Sequence, residues 1–230
     1  MADITFACVW AGSGAPYDET WVQKLQNAVA RHYPHAHRFV CLTDRDHIEG
    51  VETIKLEHNW PIYWSKIELF KTGTFSGPVI YMDLDVLLTG DISPFSQPWE
   101  DMVMISDYYP EIANSTLLYW NADDPFYSGI YEEMLADPEK VQHNFRNRWP
   151  VVNFGDQEYI ADYLTKNGRT ILRWQEVLPA EWFVEFSFKS GLNPVVRDQK
   201  YSPDLRFCHC LGAPKFERFP NMAIVRDHWK

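Results

Sequence analysis

Positive charge is scarce in this chain: 21 Lys and Arg stand against 32 Asp and Glu, a formal net charge of −11 at pH 7. A surface of that sign repels a nucleic-acid backbone and an anionic membrane, so neither is expected as a partner. Long apolar runs are missing too. No stretch reaches the roughly 18 residues that a membrane-crossing helix needs. The opening Met-Ala-Asp-Ile-Thr has no basic segment followed by an apolar one, so no transmembrane segment and a cytoplasmic location are expected. Cysteine is sparse, with 4 residues. Cys8 and Cys41 lie inside apolar runs and Cys208 and Cys210 flank a His, which offers no disulfide framework and fits a reducing compartment. Repeats, linkers and low-complexity tracts are absent, which leaves a single domain over residues 1–230 as the expectation. The Gly-rich stretch Ala11-Gly12-Ser13-Gly14 lacks the spacing of a dinucleotide or P-loop phosphate cradle.

Aromatic residues are abundant, 16% of the chain with 10 Trp. Such a surplus either fills a core or lines a site for planar and sugar rings, and the core reading is favoured. Ile4 to Trp10 reads as a buried strand, followed by a helix in which Thr20 and Gln23 make a capping-box pattern. Trp21, Leu25, Ala28 and Val29 form its apolar face, with Arg31 and His32 at its negative end before Pro34. Arg38 to Thr43 and Val51 to Leu56 read as strands, and Trp64 to Phe70 has a helical period. Met102 to Ser106 and Thr116 to Trp120 read as further strands. Helices are expected after Asp124-Pro125 and Asp137-Pro138, and another from Gly155-Asp156-Gln157 to Asn167-Gly168. Short strands are expected at Thr170 to Trp174 and Arg206 to Cys210. This alternation predicts an α/β fold with a largely parallel sheet, whose ligand lies beyond the carboxyl ends of the strands.

The stretch Pro78 to Leu88 organises the rest. Val79 to Met82 has the wholly apolar character of a strand covered on both faces, and two acids then interrupt it. In extended chain Asp83 and Asp85 project to one side, with Leu84 facing away. Paired carboxylates repel and are costly to desolvate, so a site holding both ionised calls for a cation, and oxygen ligands favour magnesium or manganese. The plain alternative is a pair of solvated acids at a strand end. His209, in Phe-Cys-His-Cys-Leu-Gly, points away from the flanking cysteines if the segment is a strand, which makes Cys-His-Cys a poor zinc cluster.

Five motifs occur in a particular order: Asp83-Leu84-Asp85 after an apolar strand, Asn114-Ser115, Gly155-Asp156-Gln157, Leu178-Pro179 with Trp182, and His209-x-x-Gly212-x-x-Lys215. Together with Trp64-Ser65-Lys66 and Glu68-Leu69-Phe70 upstream, this set resembles the family 8 glycosyltransferases of the GT-A (Rossmann-like) fold. The likeness runs along nearly the whole chain. Phe216 departs from it, where family members usually carry Pro and then Trp, and the chain is shorter than many members. The resemblance implies a metal-dependent transferase that moves a sugar from a nucleoside-diphosphate sugar, UDP-linked, to a glycan or other hydroxyl acceptor. It implies that Asp83, Asp85 and His209 hold Mn2+ or Mg2+ and that Lys215 meets the donor phosphates, with Gly212 allowing close approach. It places the nucleotide near Val9, Trp10 and Asp44, and sets Lys66, Asp107 and Asn114 toward the donor sugar or diphosphate. Asp156 and Gln157 are then nearest the chemistry. An amide is a feeble nucleophile, so front-face departure with retention of configuration is expected.

Two other classes fit parts of the pattern. A haloacid-dehalogenase-like phosphatase also begins from an apolar strand with Asp-x-Asp, although its nucleophile lies near the N-terminus and Leu87 here fills the offset where Thr or Val is usual. A non-catalytic nucleotide-sugar or glycan-binding module would lack a metal ligand or the Asp-Gln pair, and all of these residues are present.

Overall fold

The computed structural model describes residues 4–12, 17–106, 112–145, 155–186, 202–210 and 215–230. Its centre is a sheet built from β1 (Ile4–Trp10), β2 (His37–Thr43), β3 (Glu52–Lys55), β4 (Pro78–Met82), β6 (Met102–Ser106), β7 (Ala113–Asn121) and β8 (Ile171–Arg173). These 7 strands lie in the order β3-β2-β1-β4-β7-β6-β8. Neighbours from β3 to β4 run parallel, β7 is antiparallel to both β4 and β6, and β8 is parallel to β6. The expected mostly parallel α/β sheet is thus observed. Reversal of β7 matters for function, because it carries the N-terminal end of that strand to the carboxyl end of β4.

The pleat sorts β1 and β4 between two cores. Phe6, Cys8, Ile80 and Met82 face one side, with Trp21, Val22, Leu25 and Val29 of helix α1 (Glu19–His32). Ala7, Val79 and Tyr81 face the other. That side is covered by the 3-10 stretch Ile62–Phe70, by α2 (Ser128–Ala136), α3 (Pro138–Asn144) and α4 (Asp156–Lys166). Trp21, Trp64, Trp120 and Trp174 are all buried, so at these four positions the aromatic surplus is core. None of the four cysteines is in a disulfide, and all are buried.

A second sheet of 3 strands, in the order β5-β10-β9, consists of β5 (Val86–Leu88), β9 (Phe183–Phe186) and β10 (Phe207–Cys210). β10 is antiparallel to β5 and parallel to β9. Its apolar residues join the first core, where Phe95 and Phe183 stack with ring centroids 5.6 Å apart. Sequence pattern did not separate β5 from β4, because the apolar run resumes at Val86 as though the strand continued.

Several local expectations change. The cap of α1 is Asp18, whose carboxylate accepts the Thr20 N–H at 3.0 Å, and not the Thr20-Gln23 pair. Trp64 to Phe70 lies in a 3-10 helix, which the 3.6-residue pattern does not distinguish over two turns. Asn114 lies inside β7 rather than before it. α2 begins at Ser128, after turns that contain Asp124-Pro125, whereas Asp137 does cap α3 through the Lys140 N–H. Asn167-Gly168 closes α4 as expected, Gly168 taking φ +78°.

Candidate active site

The chain leaves the large sheet at Met82. Asp83 remains tied to it, its N–H donating to the Thr116 carbonyl at 2.9 Å. Leu84 and Asp85 then form a turn, and β5 enters the small sheet. The two acids therefore do not sit in extended chain, and each finds its own surroundings.

Asp83 faces the second core. It accepts a hydrogen bond from the Tyr81 hydroxyl, and the Lys66 ammonium lies 3.1 Å from its Oδ1. Tyr81 and Asp83 are two apart, so the pleat of β4 brings them to one side. Lys66 also reaches Asp156 Oδ2 at 2.9 Å and Ser115 Oγ at 2.8 Å, and Ser115 Oγ donates to the same Asp156 oxygen at 2.6 Å. Burial raises the Asp83 carboxyl, but the Lys66 charge and the bonds from Tyr81 and Lys66 outweigh it and hold the group below the ordinary carboxylate range. Burial would likewise depress Lys66, yet Asp156 and Asp83 lift it above its ordinary value. Both partners are held in their charged forms.

Asp85 faces the first core. The Lys215 ammonium binds its Oδ2 and the Cys210 carbonyl, the latter at 2.8 Å, and the Tyr17 hydroxyl donates to the same Oδ2 at 3.2 Å. Burial pushes this carboxyl up, the nearby Asp83 charge adds to the rise, and Lys215 opposes it. The expected need for a cation is thus met, but by two ammonium groups. A lysine from the 3-10 stretch neutralises one acid, and a lysine near the C-terminus neutralises the other.

His209 is 3% exposed and sits opposite Val86 in the β10–β5 ladder. Its Nε2 lies 3.7 Å from Glu185 Oε2 on β9. Among the described residues no three His, Cys, Asp or Glu side chains are grouped closely enough to hold a metal ion. Asp83 and Asp85 have the oxygen-donor chemistry of a hard divalent ion, and the described partner of the His209 imidazole is Glu185.

The remaining expected residues separate into groups. Val9 and Trp10 are neighbours on β1, so they face opposite sides of the sheet: Val9 packs on the second core and Trp10 on the first. The Arg45 guanidinium lies 5.1 Å from the centroid of the Trp10 ring. Asp44 is committed at the rim, accepting the Gly12 N–H at 3.0 Å with Arg45 3.4 Å away, and so ties the loop after β1 to the loop after β2. The side-chain Oδ1 of Asn114 accepts the Thr116 N–H at 2.8 Å, and the residue is 6% exposed. Asp156 occupies the first turn of α4, behind an N-cap at Gly155, and is buried. Gln157 follows it, its amide nitrogen donating to Glu158 Oε1 at 3.0 Å. A Cβ on Gly155 would lie 2.6 Å from Cε2 of Tyr63, so this turn needs glycine for close packing. Asp107 and Gly212 lie outside the described residues.

Three contributors were not anticipated: Tyr17, Tyr81 and Ser115. The i, i+2 rule applied backward from Asp83 points to Tyr81, and Ser115 lies within a motif already singled out. Tyr17 has no local signal; it meets Asp85 across 68 residues of sequence.

A sheet of this order, with acids at the carboxyl end of β4 and a small second sheet beside it, defines a GT-A fold. Among solved structures the chain is similar to the galactosyltransferase LgtC in complex with donor and acceptor sugar analogs: TM-score 0.62, 14% identity, 95% of each chain covered. An active-site mutant of LgtC matches with TM-score 0.63 and 13% identity, over 98% of this chain and 96% of that one. The glycosyltransferase GlyE of Streptococcus pneumoniae matches with TM-score 0.61 and 17% identity, over 91% of this chain and 55% of that one. No family model and no curated protein matches the sequence. No helix among the described residues is long and apolar enough to cross a membrane.

Proposed function

We propose that this chain is a glycosyltransferase that moves a sugar from a nucleoside-diphosphate donor, UDP-linked, to a hydroxyl of a glycan or other acceptor, with a divalent metal and with retention of configuration. The observation that carries the reading is the acid set Asp83, Asp85 and Asp156, offset in part by Lys66 and Lys215 at the carboxyl end of β4 in a GT-A sheet. Three carboxylates against two ammonium groups leave a net negative site, in which an external cation can replace Lys215 at Asp85.

Asp83 and Asp85 would hold the ion, manganese or magnesium, with His209 the candidate third ligand. Bound there, the ion supplies Lewis-acid stabilisation for charge developing on the leaving diphosphate. Lys215, released from Asp85, offers its ammonium to the same phosphates. The base and ribose would lie at the ends of β1 and β2, near Val9, Trp10 and Asp44, with Asp107, Asn114 and Gly212 toward the donor. Asp156 accepts a hydroxyl of the donor sugar. Gln157 lies beside it, and its amide oxygen can stabilise positive charge developing on the sugar without forming a bond to it. The acceptor then attacks from the side the diphosphate leaves, its proton passing to a diphosphate oxygen.

The test is release of free nucleoside diphosphate from a panel of nucleotide sugars, with Mn2+ and with EDTA, followed by NMR assignment of the anomeric product. UDP-linked donors with Mn2+ should be turned over, and Asp83→Asn should abolish the release. An inverted product removes Gln157 from the proposed roles. Phosphate release from simple phosphomonoesters, or binding of nucleotide sugars without turnover, overturns the reading.

A further inference from the structure

The cluster around Asp156 contains more order than binding a sugar demands. Its side chain is 8% exposed, and both donors that reach it, Ser115 Oγ and Lys66 Nζ, converge on Oδ2. The other oxygen, Oδ1, accepts no hydrogen bond among the described residues. A nearly buried carboxylate with one oxygen doubly tied and the other open is oriented rather than merely neutralised.

The donor inventory closes around it. Lys66 has three N–H protons and three acceptors, Asp83 Oδ1, Asp156 Oδ2 and Ser115 Oγ. The Ser115 hydroxyl has one proton, directed to Asp156, and a lone pair that accepts from Lys66. Lys66 is 5% exposed and Ser115 3%, so neither is arranged to meet a ligand. Their placement comes from the reversal of β7, which brings Ser115 next to Asp83, and from the 3-10 stretch that carries Lys66 beneath both acids.

We propose that Ser115 and Lys66 are positioning residues for sugar transfer: they pin one oxygen of Asp156 so that the other is fixed to accept a hydroxyl of the donor sugar. Lys66 thereby serves Asp83 and Asp156 together and does not itself contact the donor. Ser115 acts on Asp156 alone. The inference rests on the transferase reading above, because the pinned oxygen needs a sugar to read.

The two residues are separable by experiment in the full chain. Ser115→Ala should lower kcat by about 10- to 100-fold, the scale of a misplaced catalytic group, while affinity for the nucleoside diphosphate with Mn2+ stays within about twofold. It should also narrow the preference for the donor sugar over its deoxy analogues, since a loosened acceptor reads the hydroxyl less strictly. Ser115→Thr, which keeps the hydroxyl, should recover most of the rate. Ser115→Cys, a weaker donor of similar size, should fall between and provides the readout if the alanine variant does not fold. Lys66→Met should lower kcat and also change Mn2+ affinity by more than about twofold, which Ser115→Ala should not, because Asp83 loses its partner too. Full activity in Ser115→Ala, parallel loss of kcat and nucleotide affinity, or an unchanged deoxy-sugar preference overturns the positioning role while leaving the transferase reading intact. A wild-type chain that turns over no nucleotide sugar overturns both.

Discussion

Replacing Lys215 by Met tests the charge balance on which the site depends. The Lys215 and Asp85 side chains are 13% and 11% exposed, and the ammonium binds both the carboxylate and the Cys210 carbonyl. Met fills much of the volume and removes the charge. Asp85 is then left with the Tyr17 hydroxyl at 3.2 Å and faces the field of Asp83. Breaking a buried pair from one side costs about 3–5 kcal/mol. Asp85 escapes part of that cost by taking up a proton, since burial already pushes its carboxyl up, so a loss of about 2–3 kcal/mol is expected. For a chain of this size each kcal/mol moves Tm by about 2–4 °C, which gives a fall of roughly 5–10 °C. Thermal unfolding followed by circular dichroism in EDTA measures it. Adding Asp85→Asn to Lys215→Met should recover most of the loss, because no charge is then stranded. Mn2+ should raise the Tm of the single variant more than that of wild type, since the ion no longer competes with an ammonium; saturation at 100 times Kd corresponds to about 2.7 kcal/mol. A single variant melting within a degree of wild type, or a double variant melting below the single one, would refute the reasoning.

Two further expectations concern the frame around the site. Burial lowers His32 to about 4, with the Arg31 charge adding to the effect, and His228 is lowered by burial as well. Their rings lie 6.0 Å apart where α1 meets the helical turn Ala223–His228. Because the folded values are depressed for groups that gain charge on protonation, the unfolded chain binds protons that the folded chain refuses between about pH 6.5 and pH 4. Stability should therefore fall as pH falls through that window, and His32→Gln should flatten the Tm–pH curve; a slope unchanged in that variant contradicts the assignment. Glu68 accepts the Glu57 and His58 N–H groups at 2.7 and 3.1 Å, pinning the loop after β3. Glu68→Ala should cost about 2 kcal/mol by leaving both donors without an acceptor, and amide exchange should quicken at residues 57 and 58 specifically.

Much of the frame was legible because it depends on neighbours in sequence. Alternation and apolar runs marked most strands of the large sheet, Asn167-Gly168 marked the end of α4, and Asp137 before Pro138 marked the start of α3. Where two local signals competed, the pattern misled. Asp18 and Thr20 are both residue types that suit an N-cap, and it is Asp18 that takes the extended backbone of the cap, with Thr20 already inside the helix. The apolar run from Val79 to Leu88 reads as one strand broken by acids, yet β5 pairs with β10 and not with the large sheet. Strands β5 and β9 each find their partners far along the chain, a choice no local period records.

What the sequence determined by itself is the chemistry on offer: acids set two apart after a buried strand, a glycine-led helix carrying Asp156 and Gln157, and an α/β order that puts ligands at the carboxyl ends of the strands. Which cation neutralises which acid was decided only in three dimensions. Lys66 meets Ser115 across 49 residues, Ser115 meets Asp156 across 41, and Lys215 meets Asp85 across 130. Buried charges are stable only where a partner lies within a few ångströms, and that distance is fixed by how the sheets pack rather than by spacing along the chain.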